Sequence, residues 1–107
     1  MEKIRYMRIL LFFDLPTLKT EQRRAYRQFR KWLISEGFIM LQESVYSKLA
    51  MNINSSKLII DNIRKHKTEE GNIQILVISE KQFNKIELIV GTPQTDILDT
   101  TEKVVII

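Results

Sequence analysis

The sequence predicts an α+β domain, and three observations lead to that class. The apolar run 9–13 is too short for a helix and is closed by Asp14 and Pro16, which indicates a buried strand. Residues 21–36 carry apolar side chains at helical spacing and stop at Gly37. Strand-like and helix-like patterns then alternate again along the rest of the chain.

The residue types and the boundary residues of each segment predict its secondary structure. The predicted order is a strand (7–13), a loop (15–20), a helix (N-cap Thr20, residues 21–36), a strand (38–49), a helix (56–67), a strand (73–79), a short strand (86–90) and a terminal strand (103–107). The long stretch 38–49 could bend into two strands at Ser47. This alternation predicts a ferredoxin-like sandwich, with two helices on one face of an antiparallel sheet and an extra C-terminal strand.

The chain is long enough for one hydrophobic core. At 107 residues, without a repeat or a long linker, it is expected to form one core over residues 1–91 and a C-terminal tail over 92–107 that carries the terminal strand. No apolar stretch approaches the ~20 residues of a membrane span, and no signal-peptide segment is evident. We therefore expect a cytoplasmic protein without a membrane partner.

Two residue types limit the chemistry. The chain has no cysteine, which excludes disulfides and thiolate metal sites. His66 is the only histidine, so catalytic triads and multi-histidine metal sites are not expected.

The third main strand is apolar on both of its faces. Ile73, Ile75 and Val77 alternate with Leu76 and Ile78, which indicates a sheet that is buried on both sides. Two helices cover only one side. We therefore predict a homodimer formed by sheet-to-sheet packing.

Charge is unevenly distributed along the chain. The net charge is +4, but residues 1–67 hold 14 Lys and Arg against 6 Asp and Glu, whereas residues 68–107 hold 3 against 7. A basic first part favours a nucleic-acid partner, and an acidic last part suits a basic protein. Chance clustering on a solvated surface is the alternative.

The first helix concentrates its positive charge on one face. That face carries Arg23, Arg24, Arg27, Arg30 and Lys31. Guanidinium groups suit phosphate oxygens, and no acid lies between Glu21 and Glu36, so we favour phosphate binding over a merely solvated face. The opposite, docking face carries Ala25, Tyr26, Phe29, Trp32 and Leu33. Its aromatic rings are expected in the core rather than as stacking platforms for bases.

Asp14 is the candidate metal ligand and catalytic acid. An acid at a strand end often only accepts hydrogen bonds from loop amides. It could also bind Mg²⁺ or Mn²⁺, which prefer oxygen ligands. One carboxylate is a poor metal site, but a dimer axis passing nearby would supply a second.

Two further segments are candidate interfaces. Gln42, Ser44 and Tyr46 are predicted to share one strand face, where they could bond across a dimer or be ordinary edge-strand residues. The terminal strand could pair with a sheet edge of this chain, of its dimer mate or of another protein. Its candidate partner-binding residues are Val104, Val105, Ile106 and Ile107.

Three segments carry a resemblance to a known family. They are Arg-Ile-Leu-Leu-Phe-Phe-Asp-Leu-Pro (8–16), Arg-Arg-Ala-Tyr-Arg-Gln-Phe-Arg-Lys-Trp-Leu (23–33) and Gly-Phe-Ile-Met-Leu-Gln-Glu-Ser-Val-Tyr (37–46). Together they resemble the small CRISPR-associated endoribonuclease family, whose members partner the CRISPR integrase in spacer acquisition. The sequences Phe-Asp-Leu-Pro (13–16) and Phe-Ile-Met-Leu-Gln (38–42) are similar to those of members found beside type II CRISPR systems.

The resemblance implies a ferredoxin-like homodimer in which Asp14 is the metal-binding acid, paired across the two-fold axis. It also implies a complex in which the dimer bridges two integrase dimers along a short double-stranded DNA. The expected function is therefore that of a structural DNA-binding subunit in spacer acquisition. The alternative is a metal-dependent endonuclease that acts on RNA or DNA through the Asp14 pair, an activity that the adaptation role is not expected to need.

Overall fold

The computed structural model describes residues 5–91, and its first strand, β1 (Met7–Asp14), ends at the predicted acid. The alternation of this strand sends Ile9, Leu11 and Phe13 into the core. Asp14 is exposed where the chain leaves the sheet. The predicted buried strand is confirmed.

The first helix, α1 (Thr20–Ser35), follows a five-residue loop. Thr20, predicted as the N-cap, is instead the first helical residue, and Lys19 is the cap. The side-chain oxygen of Gln22 accepts hydrogen bonds from the backbone N–H groups of Leu18 and Lys19, which satisfies donors that the helix start leaves free. At the other end Gly37 adopts φ +95°, as expected of a helix stop.

The stretch predicted as one strand is a hairpin. It consists of β2 (Ile39–Gln42) and β3 (Val45–Ala50), joined by a turn at Glu43 and Ser44 rather than by a bend at Ser47. The register shifts between Met40 and Gln42, and this irregularity together with the turn resets the alternation of side chains.

The second helix and the last described strand complete the sheet. Helix α2 (Ile53–Lys65) begins three residues before the predicted start, because the Asn52 side chain accepts a hydrogen bond from the backbone of Ser55 at 2.8 Å and caps the helix there. Strand β4 (Asn72–Ser79) follows. The sheet order is β2-β3-β1-β4 with every neighbouring pair antiparallel, which is the predicted ferredoxin-like arrangement.

The predicted strand at 86–90 is wrong. After β4 the chain forms a short helix, α3 (Glu80–Phe83), and residues 86–90 join no strand. The cause lies at the helix start, where Ser79 and Gln82 cap each other's backbone. This ends the strand at Ser79 and starts a helical turn. The terminal strand and the tail 92–107 lie outside the described residues, so the division into core and tail stays a prediction.

The two faces of the sheet are covered unequally. Core residues of β1, together with Phe29, Leu33 and Ile63, fill the side that faces α1 and α2. On the opposite side Leu76 is 51% exposed. Arg8, at the start of β1, has its side chain on this second face, where Glu80 and Phe83 of α3 meet it. Among residues 5–91, the second face is therefore covered only in part.

Candidate nucleic-acid interface

Asp14 lies between two loops at one end of the sheet. In the register of β1 and β4 it is opposite Asn72. The backbone N–H of Phe13 donates to the carbonyl of Ser44 at 3.1 Å, which places the β2–β3 turn beside it. On the other side a Cβ at Gly71 would lie 2.7 Å from the Asp14 carbonyl oxygen, so the α2–β4 loop approaches within backbone contact.

The Asp14 carboxylate has no partner among the described residues. Within residues 5–91 no side-chain hydrogen bond and no ion pair involves this carboxylate. It therefore does not accept hydrogen bonds from the loop amides of these residues, which was the structural role considered for it. Nor do the described residues bring three His, Cys, Asp or Glu side chains together as a metal cluster. The oxygen donors at this end, Asp14 and its register partner Asn72, are of the type that Mg²⁺ or Mn²⁺ prefers. One copy thus supplies part of a suitable ligand set.

The five predicted phosphate-binding cations of α1 are exposed, but their side chains are not equivalent. The Arg23 guanidinium donates to the carbonyls of Thr17 and Leu18, at 3.1 and 2.8 Å, and to the Thr20 hydroxyl. Because these bonds hold it against the β1–α1 loop, much of its donor capacity is already used. Arg23 therefore stabilises the loop that leads from Asp14 into the helix.

Arg30 is anchored in a different way. Its Nε donates to the hydroxyl of Tyr46 at 2.9 Å. Tyr46 is fully buried and belongs to β3, so the predicted placement of its side chain on a polar interface face is wrong. The turn and register shift before it move its ring to the helix side, where the Phe13 ring lies 5.6 Å away, centroid to centroid.

The remaining three cations of α1 have no such anchor in the part of the chain that the structure describes. Within the described part of the chain, no side-chain hydrogen bond or ion pair engages Arg24, Arg27 or Lys31. All three are exposed, and no acidic residue of α1 lies among them. Their charge is consequently available to a polyanion.

Tyr26 lies beside the anchored arginine and belongs to the aromatic cluster of the core. Its ring is 5.7 Å from the Phe13 ring. Burial, followed by the nearby charge of Glu43, raises the pKa of the Tyr26 phenol above its ordinary value of 10.0, and the charge of Arg30 partly opposes this. Phe29 is 3% exposed. The prediction that the aromatic residues of α1 belong to the core is therefore confirmed.

Sequence reasoning missed a second use of arginine at the far end of β1. Arg8 makes a bidentate ion pair with Glu80, at 2.9 and 2.6 Å, and its guanidinium lies 4.3 Å from the centre of the Phe83 ring. The partners are about 72 residues apart in the chain, a separation that leaves no local pattern to find. This pair attaches α3 to the second face of the sheet.

Residues 5–91 form a ferredoxin-like α+β protein in which a basic helix follows, after a five-residue loop, a strand-end acid that has no hydrogen-bond or ion-pair partner among these residues. Over residues 7–86 the chain matches the family described as CRISPR associated protein Cas2, and it belongs to that family.

Relatives in several bacteria support the assignment. The chain is 46% identical to the CRISPR-associated endoribonuclease Cas2 of Treponema denticola, over 94% of this chain and all of the relative. It is 43% identical to the protein of the same name from Streptococcus mutans serotype c (strain UA159), over 92% and 91%. For that of Ligilactobacillus salivarius the identity is 37% over 94% of this chain and all of the relative. No helix among the described residues is long and apolar enough to cross a bilayer.

Proposed function

We propose that this protein is a structural, DNA-binding subunit of the CRISPR adaptation complex. In this role it binds the phosphate backbone of a short duplex in the cytoplasm and bridges two integrase dimers during spacer acquisition. The observation that carries the proposal is the exposed cationic face of α1, on which Arg24, Arg27 and Lys31 have no hydrogen-bond or ion-pair partner among residues 5–91. Unpaired surface cations on one helix face give the sequence-independent attraction that phosphate binding needs.

A homodimer is part of the proposal. The open face of the sheet supports it, because Leu76 is 51% and Leu49 is 45% exposed there, and exposed apolar surface of this kind is typical of an interface. The Leu76→Lys variant should be a monomer by light scattering, whereas Leu58→Lys, which changes an exposed leucine of α2, should stay dimeric. A monomeric wild-type chain would contradict the dimer.

The integrase contact is proposed at the C-terminal tail. The acidic balance of residues 68–107 suits a basic partner. The apolar residues Val104, Val105, Ile106 and Ile107 suit strand addition to a sheet edge. Truncation of residues 92–107 should therefore abolish co-purification with the neighbouring integrase while leaving the dimer intact. Undiminished co-purification would place the contact elsewhere.

A nuclease is the second candidate, and two observations favour it. The relatives are named endoribonucleases, and the Asp14 carboxylate is exposed and unused by the described fold. In a two-fold dimer two such carboxylates could hold Mg²⁺ or Mn²⁺, which would supply a Lewis acid for phosphodiester hydrolysis. Asp14 from each copy would then be the catalytic and metal-binding residue.

Spacer acquisition in cells separates the two candidates. Under the structural proposal, Asp14→Ala should remove any Mg²⁺-dependent cleavage and leave acquisition intact, because the charge that binds the duplex is elsewhere. The triple variant Arg24→Gln, Arg27→Gln, Lys31→Gln should abolish acquisition while the integrase complex still assembles. Loss of acquisition in Asp14→Ala with an assembled complex would contradict the structural role.

A further inference from the structure

The cations of α1 differ in how they are held, and this difference has a consequence for binding. Arg30 is the exposed cation of that face whose guanidinium is fixed by a buried side chain in the described structure, through the 2.9 Å bond from its Nε to the Tyr46 hydroxyl. Tyr46 has no exposed surface. The packing of the protein interior therefore fixes the position of the Tyr46 side chain.

Several contacts make the Tyr46 hydroxyl a rigid point. In the sheet Tyr46 is flanked by Leu11 of β1 and Met40 of β2. Its ring lies against that of Phe13 at an interplanar angle of 32°. A buried aromatic side chain in such a site has little rotational freedom. The hydrogen bond to this hydroxyl therefore gives the Arg30 side chain a defined orientation.

The chemistry of the anchor matters as much as its rigidity. Arg8 is also fixed, but by the carboxylate of Glu80, which neutralises its charge. The anchor of Arg30 is a neutral hydroxyl, and no ion pair among residues 5–91 involves Arg30. One N–H of the guanidinium is used, and the four on the two Nη atoms have no described partner. Arg30 is thus oriented without losing its charge.

We propose that Tyr46 is a positioning residue that holds the Arg30 guanidinium ready for a phosphate of the nucleic-acid backbone. This inference rests on the proposed function, and it ranks the cations of α1 by their contribution to binding. A pre-oriented fork loses less side-chain freedom on binding than the unanchored Arg24, Arg27 or Lys31. Arg30 therefore contributes more affinity per charge than they do.

The test is a double-mutant cycle on binding of the full-length protein to a labelled short DNA duplex. Tyr46→Phe removes only the hydroxyl and leaves the Arg30 charge. It should weaken binding about threefold to tenfold, the range that removal of one hydrogen bond produces, without changing the slope of log K against log salt. In an Arg30→Gln background the same change should have no further effect, whereas in an Arg27→Gln background it should have its full effect.

A purely structural role for the hydroxyl gives a different pattern. Tyr46→Phe would then lower the thermal unfolding temperature but bind DNA like wild type, or weaken binding equally in all backgrounds. Either result overturns the positioning role, while the proposed function stands as long as Arg27→Gln lowers the salt slope. If wild-type binding shows no salt dependence at all, the proposed function fails as well.

A second variant avoids the core. Arg30→Lys keeps the charge but has no Nε in the position that reaches Tyr46, so it should reproduce the weaker binding and unchanged salt slope of Tyr46→Phe. Wild-type affinity in Arg30→Lys would overturn the inference even if Tyr46→Phe fails to fold.

Discussion

The imidazole of His66 stacks on the indole of Trp32, with ring centroids 4.2 Å apart and planes inclined by 17°. The pair joins α1 to the end of α2, and the imidazole Nδ1 lies 3.0 Å from the carbonyl oxygen of Asn62. These residues are the sole tryptophan and the sole histidine of the chain, so the contact has an unambiguous spectroscopic signal.

We predict that the fluorescence of Trp32 depends on the stacked imidazole of His66. His66→Ala removes the stacking partner of the half-buried indole and exposes more of it to water, so the emission maximum should lie at a longer wavelength than in wild type. An identical emission maximum in the two proteins would show that the rings are not stacked in solution.

The backbone at Gly71 is predicted to be intolerant of any side chain. Gly71 and Gly37 both adopt φ +95°, a conformation that costs about 1–3 kcal/mol for other residues. At Gly71 an added Cβ would also lie 2.7 Å from the Asp14 carbonyl oxygen, whereas at Gly37 it meets only the flexible end of Lys48, at 3.5 Å. Gly71→Ala should therefore lower the free energy of unfolding by at least about 1 kcal/mol more than Gly37→Ala.

Chemical denaturation of both variants measures this difference. Equal losses would mean that the α2–β4 loop moves away without cost, and that it does not hold the end of β1 where Asp14 lies.

The raised pKa of Tyr26 predicts a loss of stability at alkaline pH. Because burial and Glu43 raise this pKa above 10.0, the folded protein retains the phenol proton at a pH where the unfolded chain has begun to release it. The folded state then binds more protons, so the free energy of unfolding falls as the pH rises through and above about 10. The stability that the raised pKa of Tyr26 provides is fully present below about pH 10 and is lost as the pH rises further. Tyr26→Phe should show a shallower decline than wild type in denaturation series between about pH 9 and 11, and parallel curves would contradict the assignment.

Much of the fold was predictable because its signals are local. The apolar run of β1, the helical spacing of α1 and the stop at Gly37 depend on neighbouring residues, and the structure has all three. The hairpin turn at Glu43 and Ser44 was missed because its one turn-favouring residue, Ser44, is a weaker signal than the Gly, Pro or Asn that most turns contain. Its position decides that Tyr46 faces the helices.

The error at residues 86–90 has a similar cause. Their apolar composition favoured a strand, but Ser79 and Gln82 start a helix just before them, and Glu80 is held by Arg8 from the other end of the sequence. Composition alone does not show that the helix cap at Ser79 ends the sheet before these residues.

The candidate site was predicted in outline only. A helical wheel placed five cations on one face of α1, yet it could not separate the loop-bound Arg23 from the anchored Arg30. That distinction depends on partners in other elements, and single-sequence periodicity contains no information about them.

The salt dependence of duplex binding tests whether the cationic face of α1 binds nucleic acid. For the wild-type protein, log K should fall linearly with log salt, and neutralising Arg24, Arg27 and Lys31 together should reduce the slope by roughly 0.9 for each phosphate that the protein no longer neutralises. Arg23→Gln is the matched control, since the Arg23 guanidinium is held by loop carbonyls. Compared with the single variant Arg27→Gln, it should change the salt slope less and lower the thermal unfolding temperature more. A wild-type affinity that does not respond to salt, or a triple variant with an unchanged slope, would contradict the claim that this helix face binds nucleic acid.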